Sequence, residues 1–126
     1  MSVRRVAGMI LSPAIPVLRS FSEEKAREFY VDFMGFKVNW EHRFEPDTPL
    51  YFEVERSGVI IHLSEHYGDA APGAAIFIRI DDIAALHAEL NAKKFRYARP
   101  MIVQQDWGQV MQIDDPFGNR LRFCQS

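Results

Sequence analysis

Cysteine occurs once in the 126 residues, at Cys124, which excludes an intrachain disulfide and leaves no Cys-x-x-Cys pair for redox or zinc chemistry. Basic charge is also in short supply. Fifteen lysines and arginines stand against 17 acids, for a formal net charge of -2, so no basic stripe can track a phosphate backbone and nucleic acid is not an expected partner. No apolar run approaches the roughly 20 residues of a membrane helix, and Arg4-Arg5 is followed by neither an apolar block nor a cleavage site. No membrane partner is expected, and the expected location is cytoplasmic. What the chain does have is apolar content: 48% hydrophobic residues without a long polar tract suit one domain, residues 1–126, with a sizeable core.

The order of elements is legible from local chemistry. An apolar run at residues 14–18 is interrupted by Pro16, which lacks a ladder donor, so it reads as an edge or bulged first strand. Ser20-x-x-Glu23 is a capping-box signature ahead of Ala26, Phe29, Tyr30 and Phe33, which share a helical face. Gly35 suits the left-handed C-cap of that helix. Strands at residues 36–43, 50–55 and 58–64 follow, separated by turn residues. After an Ala-Ala-Pro-Gly linker the order repeats. A strand at 75–80 leads to an N-cap at Asp81 or Asp82, a helical stripe of Ile83, Leu86, His87 and Leu90, a short strand at 95–98, and strands at 108–114 and 119–125. Aligning Arg19 with Arg79 and Phe29 with Leu86 gives an internal offset of about 57 to 60 residues. The reading is an α+β fold of two βαβββ modules, at about residues 12–68 and 73–126. Each module is a curved mixed sheet with its helix on one face and a concave cup on the other. Val6, Met9, Ile10 and Leu11 lie outside both modules, placed either to reach across a homodimer or to fray.

The closing segment, residues 106–125, carries the sharpest signal. Asp115-Pro116-Phe117-Gly118-Asn119 sets a φ-locked Pro and a permissive Gly between two runs of alternating polarity, the chemistry of a tight hairpin. Ala14-Ile15-Pro16-Val17-Leu18, Glu28-Phe29-Tyr30 and Met34-Gly35-Phe36 resemble the opening of bleomycin resistance proteins. Asp106-Trp107-Gly108 and the Asp-Pro-x-Gly-Asn turn resemble their last hairpin. The chain is thus similar, over residues 14–125, to the bleomycin resistance family of the glyoxalase, bleomycin resistance and extradiol dioxygenase (vicinal oxygen chelate) superfamily.

Metal-dependent members of that superfamily draw ligands from four strand positions. Carried over, these fall near Ile15, His62, Ala75 and Arg122, of which three cannot ligate a metal; no metal, cofactor or catalytic residue is therefore expected. In the cluster His62-Leu63-Ser64-Glu65-His66, strand alternation turns His62 and His66 one way and Glu65 the other, with a single cup-facing histidine as the outcome. The resemblance implies a small-molecule ligand, antibiotic-like and of the bleomycin resistance type, held in a groove shared by two subunits. Trp40, Phe44, Phe52 and Trp107 are the expected stacking walls, and His62 and Arg122 the expected polar contacts. Resembling proteins are often strongly acidic, as suits a cationic drug. This chain is nearly neutral, and Arg122 favours an anionic or neutral aromatic molecule at least as well. The alternative reading is a divalent-metal-dependent lyase, isomerase or dioxygenase of the same superfamily.

Overall fold

A computed structural model describes residues 4–6, 8–95 and 99–126. A hairpin of β1 (Arg4–Val6) and β2 (Met9–Leu11) precedes the body of the chain, with Met9, Ile10 and Leu11 exposed. The first module comprises β3 (Val17–Arg19), a helix, β4 (Lys37–His42), β5 (Tyr51–Arg56) and β6 (Val59–Ser64). The second comprises β7 (Ala75–Arg79), α2 (Ile83–Ala92), β8 (Ile102–Gln105), β9 (Gly108–Asp114) and β10 (Arg120–Gln125). Each makes a four-stranded sheet of the same order, β3-β6-β5-β4 and β7-β10-β9-β8, with the first strand parallel to the last and the rest antiparallel. Arg19 and Arg79 each end the first strand of their module, as the internal alignment expects. Among the described residues no helix is long and apolar enough to cross a membrane.

The first helix starts as α1 (Glu23–Ala26) and widens into a π-helical stretch, Arg27–Phe33, whose Phe29, Tyr30 and Phe33 are all buried. It closes wide as well, with Met34 N bonded to Phe29 O at 2.8 Å and Phe36 N to Tyr30 O at 2.9 Å, around a left-handed Gly35 (φ 75°). Its N-cap differs from the expected one. Ser20, just past β3, is still bonded to the sheet, its N–H donating to Ser64 O at 2.9 Å, and it is Ser22 whose hydroxyl accepts from Lys25 N at 3.2 Å. Asp82, one of the two aspartates expected, caps α2 through Ala85 N. The strand expected at 95–98 falls, apart from Phe95, outside the described residues. Phe95 itself is not in a strand, and the fourth strand of the second sheet is β8.

One core joins the modules. Phe95 stacks on Phe33 at 4.5 Å, and Lys93 Nζ donates to Phe33 O at 2.7 Å, satisfying a carbonyl at the end of the first helix. Arg56 on β5 forks onto both oxygens of Glu89 on α2 at 2.7 Å each. Asp115, in the β9–β10 turn, is buried. It accepts from Tyr30 Oη at 2.6 Å, from the backbone N–H groups of Phe117 and Asn119 at 2.8 Å each, and from Asn119 Nδ2 at 2.8 Å. Asn119 Nδ2 also donates to Arg19 O at 2.9 Å, so the turn is tied to the first module twice.

Two outcomes follow from this buried node. Tyr30→Phe, which removes a hydrogen bond to a charged group, lowers the unfolding free energy by about 1.5–3 kcal/mol, and Asp115→Ala, which orphans several donors, costs more; urea unfolding measures both. Burial above all, then the Asp115 charge, pushes the Tyr30 phenol well above its ordinary 10.0. The folded chain therefore holds that proton more tightly than the unfolded one. The stability this adds is complete below pH 10.0 and is lost as pH rises beyond it, a loss that Tyr30→Phe does not show.

Candidate functional site

Strand alternation divides the first sheet into two faces. Phe52, Val54, Ile61 and Leu63 turn toward the helix and are fully buried, while Tyr51, Glu53 and His62 turn to the opposite, concave side. On β4 a bulge between Val38 and Trp40 breaks the alternation. Asn39 and Trp40 consequently both reach the concave face, Asn39 bonding the carboxylates of Glu53 at 2.7 Å and Glu55 at 2.8 Å.

These side chains form a connected cluster. The rings of Trp40 and Tyr51 are parallel within 6°, centroids 5.9 Å apart, and His62 meets each of them edge-on at 5.2 Å. Tyr51 Oη lies 2.7 Å from His62 Nδ1, and His62 Nε2 lies 2.9 Å from Glu53 Oε1. Burial, followed by the charges of Asp69 and Glu53, raises the Tyr51 phenol above its ordinary range, so it stays protonated at neutral pH. With a neutral imidazole the pattern has one solution: Tyr51 donates to Nδ1, and Nε2–H donates to Glu53. The hydrogen bond from Asn39 and then that from His62 hold the Glu53 carboxyl below its ordinary value, against the opposing effect of burial. At the open end Phe44 is 74% exposed, with its ring 4.8 Å from His42 and 6.0 Å from His66. Trp40, at 41% exposure, shows a broad edge to solvent.

Of the residues expected from sequence, the structure brings Trp40 and His62 into ring contact, while Phe44 connects to the cluster only through His66, whose ring lies 6.5 Å from that of Tyr51. Phe52 is a correction: at 0% exposure on the helix side, with the Arg27 guanidinium 5.4 Å from its ring, it belongs to the core and cannot wall the cup. The pattern Tyr51-Phe52-Glu53-Val54-Glu55 already carried that information, since the two apolar residues alternate with polar ones. Tyr51 and Glu53, which sequence reasoning passed over, take the place given to Phe52. Trp107, 61% exposed at the two-residue tip between β8 and β9, and Arg122 on β10 belong to the second sheet and share no ring contact or hydrogen bond with this cluster among the described residues. Arg122 instead donates from Nε to Gln112 Oε1 at 3.0 Å.

The residues present do not fit a divalent metal. Ile15, Ala75 and Arg122 offer no donor, both nitrogens of His62 are engaged within the protein, and Glu65 Oε1 accepts from Leu50 N at 2.9 Å. Among the described residues no three His, Cys, Asp or Glu side chains converge. The arrangement is suited to stacking and hydrogen bonding.

A family model described as a glyoxalase superfamily protein matches residues 2–126. No curated protein matches. Among solved structures, the chain is similar to a bleomycin-binding protein complexed with bleomycin (TM-score 0.73, 22% identity, 92% of this chain and 99% of that one). A bleomycin resistance determinant encoded on a transposon is also similar (TM-score 0.72, 20% identity, 92% and 98%). So is an antibiotic-binding protein from Streptomyces sp. CB03234 (TM-score 0.65, 22% identity, 90% and 96%).

Glu53 links the cluster to acid stability. Its folded value lies below the ordinary 4.5, so the stability it adds is present above that pH and is lost as pH falls through the lowered value. In Glu53→Gln the decline of unfolding free energy on the acid side of pH 4.5 is expected to be shallower than in the native chain, as followed by denaturant titration at a series of pH values.

Proposed function

This chain belongs to the glyoxalase superfamily, and we propose that it is a non-catalytic binding protein that sequesters a small planar, antibiotic-like molecule. The observation that carries the reading is the Trp40–Tyr51 pair, stacked, partly exposed and braced by His62. Flat side chains with few rotamers, already locked by neighbours, give stacking area at little entropic cost. The polar groups beneath them are committed to one another, so the face offers no free nucleophile and no metal donor set. Its mechanism is stoichiometric capture: the ligand lies on Trp40 and Tyr51, Phe44 flanks it, and His62 orients Tyr51. The similar solved structures, one a bleomycin-binding protein complexed with bleomycin and one an antibiotic-binding protein, support the class of guest.

The working unit in this reading is a homodimer. Phe77, Val103 and Trp107 stand exposed on the second sheet or at its hairpin tip. A two-fold pair sets the second sheet of one subunit over the first sheet of the other, giving two equivalent grooves in which Trp107 and Arg122 complete each site. Sedimentation is expected to show a dimer.

Titration of the intact protein with bleomycin and a panel of planar antibiotics is expected to change tryptophan fluorescence with one ligand bound per chain and the ligand recovered unaltered. Trp40→Ala is expected to weaken that binding about tenfold while leaving the fold intact. A panel that leaves the fluorescence untouched overturns the reading.

A further inference from the structure

The cup face of the second sheet carries charges that the cluster above does not use. β7 and β10 run parallel with Arg120 beside Ala75, Arg122 beside Phe77 and Cys124 beside Arg79. Leu121 and Phe123 are buried in the core and Ile76 and Ile78 pack against it, so alternation turns Phe77, Arg79, Arg120 and Arg122 to the concave side. Three arginines thus share a face with one aromatic ring. Arg79 Cζ lies 5.8 Å from the centroid of Phe77, Arg122 is the cross-strand neighbour of Phe77, and Arg120, two residues before Arg122, is the cross-strand neighbour of Ala75.

Arginine is well paired elsewhere in the chain: Arg27, Arg43 and Arg56 each hold a glutamate. Among the described residues Arg79, Arg120 and Arg122 have no carboxylate partner. Asp114, the cross-strand neighbour of Arg120, accepts from Gln112 Nε2 at 3.1 Å instead. Among the described residues the one acceptor of Arg122 is Gln112 Oε1, reached through Nε, with no partner on the fork of its guanidinium. Nor do the first-sheet acids answer this charge, since Glu53 and Glu55 are bonded to Asn39 and His62. Like charges side by side on a sheet repel, and a bound anion relieves that cost. Phe77 is 53% exposed, and together with Arg79 it lines a groove of about 310 Å³ whose opposite wall is Ile15, Pro16 and Ile60. Ile60 shares a face of β6 with His62, two residues away.

We propose that Arg79 and Arg122, supported by Arg120, form an anion site that reads the carboxylate or phosphate of an aromatic ligand whose apolar body lies on Phe77, at the edge of this groove. The proposal rests on the binding-protein reading and names the charge of its guest. Planar guanidinium forks suit both oxyanions bidentately.

The test uses the full chain and three probes of one shape: 2-naphthoate, 2-naphthyl phosphate and the neutral 2-naphthamide. At least one anion is expected to bind about tenfold or more tightly than the amide, and the better of the two identifies the oxyanion. Added salt is expected to weaken the anions and spare the amide. Arg79→Gln combined with Arg122→Gln is expected to erase the preference with thermal stability unchanged, and Arg122→Lys to keep part of it. An amide that binds as tightly as both anions, or a preference that survives the double variant, overturns the anion site while leaving the binding-protein reading standing. Failure of all three probes to bind overturns the anion site, and the titration with bleomycin and planar antibiotics decides the binding-protein reading separately.

Discussion

The Asp115 carboxylate, buried in the last turn and meeting Tyr30, Phe117 and Asn119, is the constraint on which the arrangement of the two sheets depends. A carboxylate in that setting is tolerable only when its acceptor sites are met, and the donors come from both modules. The turn cannot shift without breaking the Tyr30 bond, and the first helix cannot shift without carrying the turn along. Asn119, bonded also to Arg19 O, closes the loop of contacts back to β3. The position of β10 relative to the first sheet, and with it the width of the groove between Ile60 and Phe77, is held by a handful of short hydrogen bonds.

Polarity then separates the faces by task. On the first sheet every strong acceptor is consumed locally, Glu53 by Asn39 and His62, and Glu55 by Asn39, so that surface presents aromatic area on a stiff base. On the second sheet the arginines are left with little to bind inside the protein. One face supplies stacking and the other supplies charge, a division that suits a guest with a flat body and an anionic end. The resemblance to metal-dependent relatives implies a ligand position at Arg122, and a guanidinium there offers no donor to a metal.

Much of the fold was legible in the sequence because its signals are local. Gly35, the Asp-Pro-x-Gly-Asn turn and the alternation along residues 108–114 each specify their own element, and the repeated element order supplied the two modules. Ser20 misled because a residue that could cap was still bonded to Ser64. β8 was missed because Ile102–Gln105 is short and half polar, with Pro100 shortly before it. The site was less legible. Which residues share the concave face depends on the β5–β6 register, which pairs Glu53 with His62, and on the bulge that carries Asn39 and Trp40 to one side. Neither can be read from composition. Phe52 was expected in the cup for its aromatic ring, without regard to the alternation along its strand, and burial decided against it.

The central claim is that this cup holds a flat organic guest and releases it chemically unchanged. Equilibrium dialysis of the intact protein against pooled planar aromatic anions and antibiotics, with mass analysis of both compartments, tests it most directly. The account predicts that one or more of them concentrates on the protein side at one equivalent per chain with its mass preserved. Depletion of a compound together with the appearance of a product of different mass would contradict it.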